Sequence, residues 1–387
     1  MKLVIPNELH DDETRVAMDP PTVKKLIELG FTVTVESGLG VASHHSDAVY
    51  TDQGATVAES DDFETAWGEA DLICQLHAPG DDRAGRIKSG AILLGMMQPL
   101  GHLDLMTKLA EQKVTVLSAE FIPRISRAQA MDVLSSQANI GGYMAVLLAA
   151  RACPKIFPMM ITAAGTIAPS RVFILGAGVA GLQAIATAKR LGAVVEAYDV
   201  RPEVEEQVKS LGGRFVKLPT AKQDSTATGG YAKQQTDEER QKQIELMTKH
   251  VAGADAVVTT AAVFGKAPPM LIPKDMVDQM RAGSVIVDIA ANPEAGRGNC
   301  ELTKPGEVYV TDNGVIIDGT TNLPGLAPIH SSQMYANNML AFIREIVNEG
   351  AIQLDLEDEI QKGACIVHDG EVRNALVKDA LGQTSGA

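Results

Sequence analysis

Gly176, Gly178 and Gly181 follow the spacing G-x-G-x-x-G, and Asp199 closes the apolar run that comes after them. These types at these places suit a dinucleotide. The first glycine permits a tight turn, the second lets backbone approach a pyrophosphate, and the third allows a helix to pack closely on a strand. Phosphates would sit on the free N–H groups of a helix N-terminus, with Val179 and Ala180 beside them. Asp199 would accept hydrogen bonds from ribose hydroxyls, and Val200 and Arg201 follow it at the same end.

The elements needed to hold these residues are present in order. Residues 172–175 are an apolar β-type run, residues 182–191 an Ala-rich helical pattern stopped at Gly192, and residues 194–197 a second β-type run. An ordinary βαβ unit without nucleotide fits the same pattern. Asp199 favours NAD over NADP, because its carboxylate would repel a 2′-phosphate. Arg201 could accommodate that phosphate, or could be a surface ion pair or a solvated side chain.

Composition narrows the class. The 387 residues are enough for about two or three domains with sizeable cores. A net charge of −15, from 34 Lys and Arg against 49 Asp and Glu, argues against a nucleic-acid partner. Cys74, Cys153, Cys300 and Cys365 are widely spaced, which suits a reducing cytosol and suggests neither a disulfide framework nor a zinc site. The 8 histidines show no metal-type clustering, so no metal is expected. The start of the chain lacks the apolar core of a secretory signal. The most apolar stretch, residues 144–164, is interrupted by Arg151, Lys155 and prolines, so no membrane insertion is expected.

Along the chain, LVIP, FTVTVES, ADLICQLHAP, AILLGM and VTVLSAE read as strands between helical patterns, including DPPTVKKLIELG. This alternation implies a parallel, doubly wound sheet without a complete glycine fingerprint. In PRISRAQAMDVLSSQA, Ser126 and Gln129 fit a capping box, which predicts a helix from near Arg127. That helix would place Gln129, Asp132 and Ser136 on one face, bordered by Ser135. It reads as a connector to a second domain. There GRFVKL, ADAVVTT, SVIVDIA and VYVTD are further strands, and a polar, Gly-rich stretch around residues 219–235 precedes a charged helix. A long helix follows NLPGLAPIH, and a hairpin is expected around HDGEV. The expected fold class is α/β, with two Rossmann-like doubly wound parallel-sheet domains separated by a cleft. Residues 1–135 with 326–387 would form the outer domain and residues 136–325 the nucleotide-binding one.

Several segments together, RVAMDP, PRISRAQAMDVLSSQA, GAGVAGLQAIATAKRLGA with YDVR, FGKAPPMLI and LPGLAPIHSSQMYANN, resemble the NAD(H)-binding component, domain I or alpha subunit, of proton-translocating NAD(P) transhydrogenase. That family is related to alanine dehydrogenase, and the resemblance spans nearly the whole chain. It implies that Arg124, Gln129, Asp132 and Ser135 surround the nicotinamide. Donors and acceptors for a carboxamide suit that role, and an Arg beside an Asp could fix the Asp; a capped linker helix with a solvated polar face is the plainer reading. It further implies that Tyr231 lies in a mobile loop closing over nucleotide, or else in a surface insertion. Thr260, Ala261 and Ala262 would line the adenosine side, or simply pack after a βα turn. Arg15 matches an Arg that binds the substrate carboxylate in alanine dehydrogenases, although an ion pair with a neighbouring acid fits equally.

The resemblance also separates two chemistries. A dehydrogenase acting on an amine must move a proton as well as a hydride, and so needs a general acid or base. At the positions that carry that set in alanine dehydrogenases, this chain has Gln75 and His77, then Met96, Met97 and Gln98, then Asn292. Nicotinamide-to-nicotinamide transfer needs no such set, only ring carbons brought within about 3–3.5 Å. The expected activity is therefore hydride transfer between NADH and NADP⁺, the NADP(H) being held by a partner. The implied partners are the NADP(H)-binding domain III and the membrane domain II, with a homodimer of this chain. The implied place is cytoplasmic, peripheral to the inner membrane. An alanine-type dehydrogenase, a non-catalytic NAD-binding regulatory subunit and a structural βαβ protein are the alternatives. The family's short loop after the strand ending in DIA is longer here, AANPEAGRGNCE, with Asn292 in place of a Glu.

Overall fold

The computed structural model describes residues 1–8, 12–217, 237–262 and 265–384. The chain divides into two compact units, Met1–Gln137 with Pro324–Ala387, and Ala138–Leu323. Each is built on one main sheet.

In the first unit the described strands lie in the order Glu371–Val372, Cys365–His368, Thr115–Ser118, Ile92–Gly95, Leu72–Cys74, Lys2–Ile5, Thr32–Glu36, Thr56–Ala58. The six amino-terminal strands pair in parallel. The expected hairpin around HDGEV forms and adds two antiparallel strands at one edge. In the second unit the order is Arg214–Phe215, Val194–Tyr198, Arg171–Leu175, Ala256–Thr259, Val285–Asp288, Ile316–Asp318, Val308–Val310. Here parallel pairing dominates as expected, with one exception. Val308–Val310 runs antiparallel to Ile316–Asp318, a strand that the sequence pattern did not separate. Asn313 and Gly314 sit in the tight turn between them, and Gly314 has φ +83°, a conformation that glycine adopts without steric cost.

The strand sequences explain why the sheets are central. Strands covered on both faces read as continuous apolar runs. In Arg171–Leu175, Val172 and Ile174 enter one core, while Phe173 and Leu175 enter another. Val257 and Ile286 follow Phe173, and Val258 and Val287 follow Ile174. In the first unit Leu3 and Ile5 face one core and Val4 the other. Full burial of each such side chain is worth about 1.5–3 kcal/mol, so neither face can be left to solvent.

Both units share a topological feature. Lys2–Ile5 pairs with Thr32–Glu36 on one side and Leu72–Cys74 on the other. Arg171–Leu175 likewise lies between Val194–Tyr198 and Ala256–Thr259. The winding reverses at these strands, and ligands of open α/β sheets bind at the carboxyl ends beside such a switch.

Residues of the helix Val133–Ala152 belong to both units. It is long and apolar enough to cross a membrane by length and composition, yet half of its most apolar window is buried inside the protein. A small hairpin, Met160–Thr162 with Gly165–Ile167, follows it and is exposed throughout.

Candidate functional site

The glycine turn stands at the switch of the second unit. Gly176 follows the last residue of Arg171–Leu175 and has φ +100°, which excludes ordinary side chains. The helix begins earlier than the sequence pattern implied, at Val179, with Gly178 as its N-cap. Gly181 therefore lies in the first helical turn. A Cβ there would stand 1.9 Å from the Gly176 carbonyl oxygen, so only hydrogen lets the helix start this close to the strand. The first helical hydrogen bond runs from the Leu182 N–H to the Gly178 carbonyl, leaving the Val179, Ala180 and Gly181 N–H groups at the open helix end. A Cβ on Gly178 would meet nothing nearer than the Arg201 guanidinium, at 3.9 Å. Space, free donors and the helix dipole together fit the phosphates of NAD(H).

Asp199 follows the next strand and reaches back to this turn. Its Oδ2 accepts from the Ala177 N–H at 2.7 Å and from Arg201 Nη2 at 3.0 Å. Its Oδ1 accepts from the Arg201 N–H and Nε, both at 2.9 Å. Partial burial raises its carboxyl pKa, but the Arg201 guanidinium and the two backbone donors outweigh that and hold it below the usual range. Asp199 is therefore an anion, with a side chain 6% exposed, while Arg201 is 51% exposed. The ion-pair reading of Arg201 matches this geometry. Val200 points to solvent.

Thr260, Ala261 and Ala262 leave the end of the neighbouring strand, Ala256–Thr259. The Thr260 hydroxyl lies 3.1 Å from the Gly176 carbonyl oxygen and donates to it, and a Cβ on Gly176 would strike this hydroxyl at 2.4 Å. Thr260 and Ala261 thus close one wall of the turn. Tyr231 lies outside the described residues.

The long loop after Val285–Asp288 shows how its extra residues are stored. Asn292 and Arg297 exchange backbone hydrogen bonds, and Asn292 Oδ1 accepts from the Ala295 N–H at 2.7 Å. Beyond this self-closed turn, Asp288 is saturated by donors. Its Oδ1 takes the Thr259 hydroxyl and the Ala290 N–H, and its Oδ2 takes the Cys300 N–H and the Thr303 hydroxyl. Asn299, fully buried between these groups, bonds to Ala261. Sequence reasoning passes over Asp288 and Asn299. Their only signal is a polar residue at each end of a Gly-rich loop.

Arg124, Gln129, Asp132 and Ser135 lie in the first unit, where the expected helix start is wrong. Ser126–Met131 forms a 3₁₀ helix whose N-cap is Ile125 and which has no side-chain cap, and the α-helix begins at Val133. Asp132 displaces the Ser126 capping box. Its Oδ1 accepts from the Ser135 N–H at 2.9 Å and its Oδ2 from the Ser135 hydroxyl at 2.6 Å. Such a cap is worth about 1 kcal/mol. The break at Asp132 also removes the continuous face expected for Gln129, Asp132 and Ser136. Ser136 is buried against Asn338, whereas Arg124 and Gln129 are exposed. Asp132 is held by Ser135 and not by Arg124.

Arg15 is buried in the first unit with its charge engaged. Its Nε and Nη2 donate to Glu13 at 2.8 and 2.7 Å, and its Nη1 donates to Gln137 at 2.9 Å. Burial opposes ionisation of Glu13, but Arg15 and His77 overcome it and hold the carboxyl well below its usual range. The Gln75 amide donates to the His77 carbonyl.

Residues 4–141 match the family described as Alanine dehydrogenase/PNT, N-terminal domain, and residues 145–375 the family described as Alanine dehydrogenase/PNT, C-terminal domain. The chain belongs to this family. It is 44% identical over 389 residues to the first part of NAD(P) transhydrogenase subunit alpha of Rhodospirillum rubrum, covering 98% of this chain and 99% of that one. A solved transhydrogenase from Sinorhizobium meliloti is 40% identical and superposes with a TM-score of 0.85 over 96% of this chain and 100% of that chain. Alanine dehydrogenase of Halomonas elongata is more distant, 27% identical over 391 residues, covering 99% of this chain and 97% of that one. The relatives favour the transhydrogenase alpha-subunit reading over alanine dehydrogenase, within an oxidoreductase family of nucleotide-binding proteins.

Proposed function

We propose that this chain is the NAD(H)-binding component of a proton-translocating NAD(P) transhydrogenase. It passes a hydride between NADH and NADP⁺ held by the NADP(H)-binding domain III of a partner. A membrane domain II couples that exchange to proton translocation. The observation that carries the reading is the glycine turn with Asp199 at the switch of the second unit. The near full-length similarity to transhydrogenase alpha subunits supports the choice of hydride acceptor.

NAD(H), when bound, supplies the hydride-carrying ring; the protein's work is to bind and orient. The Val179, Ala180 and Gly181 N–H groups hold the phosphates. Asp199 accepts the ribose hydroxyls, Val200 and Arg201 border them, and Thr260, Ala261 and Ala262 flank the adenosine. Arg124, Gln129, Asp132 and Ser135 orient the nicotinamide. No proton is exchanged at the ring, so a Gln at position 75 suffices where amine oxidation would need a base.

In this reading the protein joins a membrane-associated complex as a cytoplasmic, peripheral subunit, and two copies pair. The exposed Met160, Ile161 and Ile167 of the small hairpin support an assembly surface.

The test mixes the full chain with an isolated NADP(H)-binding domain III and follows NADP⁺-dependent oxidation of NADH. Turnover is expected only when both proteins are present. Reduction of NAD⁺ by alanine without any such transfer would replace this reading with an amino-acid dehydrogenase.

A further inference from the structure

Asn299 lies 38 residues from Ala261 in sequence, yet it bonds that residue twice. Its Oδ1 accepts from the Ala261 N–H at 3.0 Å, and its Nδ2 donates to the Ala261 carbonyl at 2.8 Å. The same Nδ2 donates to the Pro269 carbonyl at 2.8 Å. Its own carbonyl accepts from the Leu271 and Ile272 N–H groups at 2.8 and 3.0 Å. The side chain is fully buried, so its amide lacks water as a substitute partner.

Two neighbours fix where Asn299 stands. Cys300, next in the chain, donates its N–H to Asp288 at 2.9 Å. Gly298, on the other side, is pressed on Asp288 so tightly that a Cβ would meet Oδ2 at 2.1 Å. Asp288 in turn holds the Thr259 hydroxyl at 2.7 Å. One buried carboxylate therefore sets both the end of the Ala256–Thr259 strand and the loop that carries Asn299. From Ala261 the path is short. Thr260 precedes it and donates to the Gly176 carbonyl.

We propose that Asn299 is a positioning residue for nucleotide binding: it clamps the Ala261 peptide so that Thr260 and Ala261 form a fixed wall of the glycine turn. This inference rests on the NAD(H)-binding reading of that turn and extends it to a residue that does not touch the nucleotide. Without the clamp, the Ala261 N–H and carbonyl must find other partners, and the wall gains freedom that binding has to remove. The effect belongs to the adenosine side, so it appears in affinity and not in the rate of hydride transfer at saturation.

The experiment titrates NADH, by its fluorescence, and ADP-ribose, which lacks the nicotinamide, into the full-length chain and its Asn299→Ala and Asn299→Asp variants. Asn299→Ala is expected to raise both dissociation constants about tenfold, with the saturated transfer rate to an NADP(H)-binding partner within about twofold. Asn299→Asp keeps an acceptor for the Ala261 N–H but turns a carboxylate oxygen on the Ala261 and Pro269 carbonyls, so a loss of more than about tenfold is expected. This near-isosteric variant decides the matter if Asn299→Ala does not fold. Combining it with Thr260→Val is expected to cost less than the product of the single losses, because both act through one segment of backbone. Variants that melt earlier but bind both ligands like the parent at low temperature would reduce Asn299 to a structural residue and overturn the proposal. So would a loss confined to the transfer rate. A parent chain that binds neither ligand would remove the NAD(H) reading itself, and this inference with it.

Discussion

The two units use one winding to opposite ends. In the second unit the strand before the switch ends in glycines, and the protein leaves helix N–H groups and space for a ligand. In the first unit the corresponding place is filled by the protein's own charge. Glu8, shortly after Lys2–Ile5, accepts from the Leu76 and His77 N–H groups just after Leu72–Cys74. Glu13 and Arg15 pair behind it, and His77 joins Glu13 at 2.7 Å. The comparison separates topology from chemistry: the fold supplies a switch twice, and the residues beyond the strands determine whether it stays open or is closed by a carboxylate.

The sharpest way to break this contrast is to close the open side. Gly181→Val sets side-chain carbon against the Gly176 carbonyl, a backbone group that cannot rotate away. NADH affinity is expected to fall about a thousandfold, roughly 4 kcal/mol, in a fluorescence titration. Unchanged binding would mean that the close start of this helix is irrelevant to the nucleotide.

The filled side is tested through its protons. Burial, reinforced by Glu13 and only partly offset by His77 and the two N–H groups, raises the Glu8 carboxyl from 4.5 to about 7. The folded state thus holds a proton that the unfolded chain releases. The associated stability is fully present below the unfolded value and is lost as pH rises through the folded one. Urea unfolding should therefore show a decline on the order of 2–3 kcal/mol between about pH 4.5 and pH 7. Glu8→Gln should flatten that decline and leave NADH affinity unchanged. A variant with the parent's pH slope would assign the titration elsewhere.

A smaller effect is expected at Asp199. Its replacement by Ala removes the ribose acceptor, and releasing Arg201 from its ion pair offsets part of the loss, so NADH binding should weaken about tenfold. Equal affinity in isothermal titration would refute the ribose role. The least disruptive change is Asp132→Asn. Asn caps a helix about as well as Asp, so the melting free energy should stay within about 0.5 kcal/mol. Hydride transfer should nevertheless slow more than ADP-ribose binding weakens. Equal losses in both would count against a nicotinamide role for Asp132.

Much of this is legible in sequence because it is local. Continuous apolar runs announce strands buried on both faces, and strand, glycines, helix and acid in order announce the turn and Asp199. Local signals also compete, and there the pattern misleads. Ser126 and Gln129 match a capping box, but Asp132 with Ser135 three residues on is the pair that caps the helix. Ile316–Asp318 escapes notice although Asn313 and Gly314 mark its hairpin turn. Asn299 is beyond reach for a different reason. Its partners are brought to it by the sheet, and nothing near it in the chain reveals that its amide serves Ala261 and Pro269.

The self-closed turn at Asn292 and Arg297 has a practical consequence. Because its two ends are tied to each other, its length is uncoupled from the clamp that follows at Gly298 and Asn299. Additional chain grafted between Pro293 and Gly296 would hang from a closed neck. A small fluorescent reporter placed there would label the protein without loading the clamp that holds Ala261.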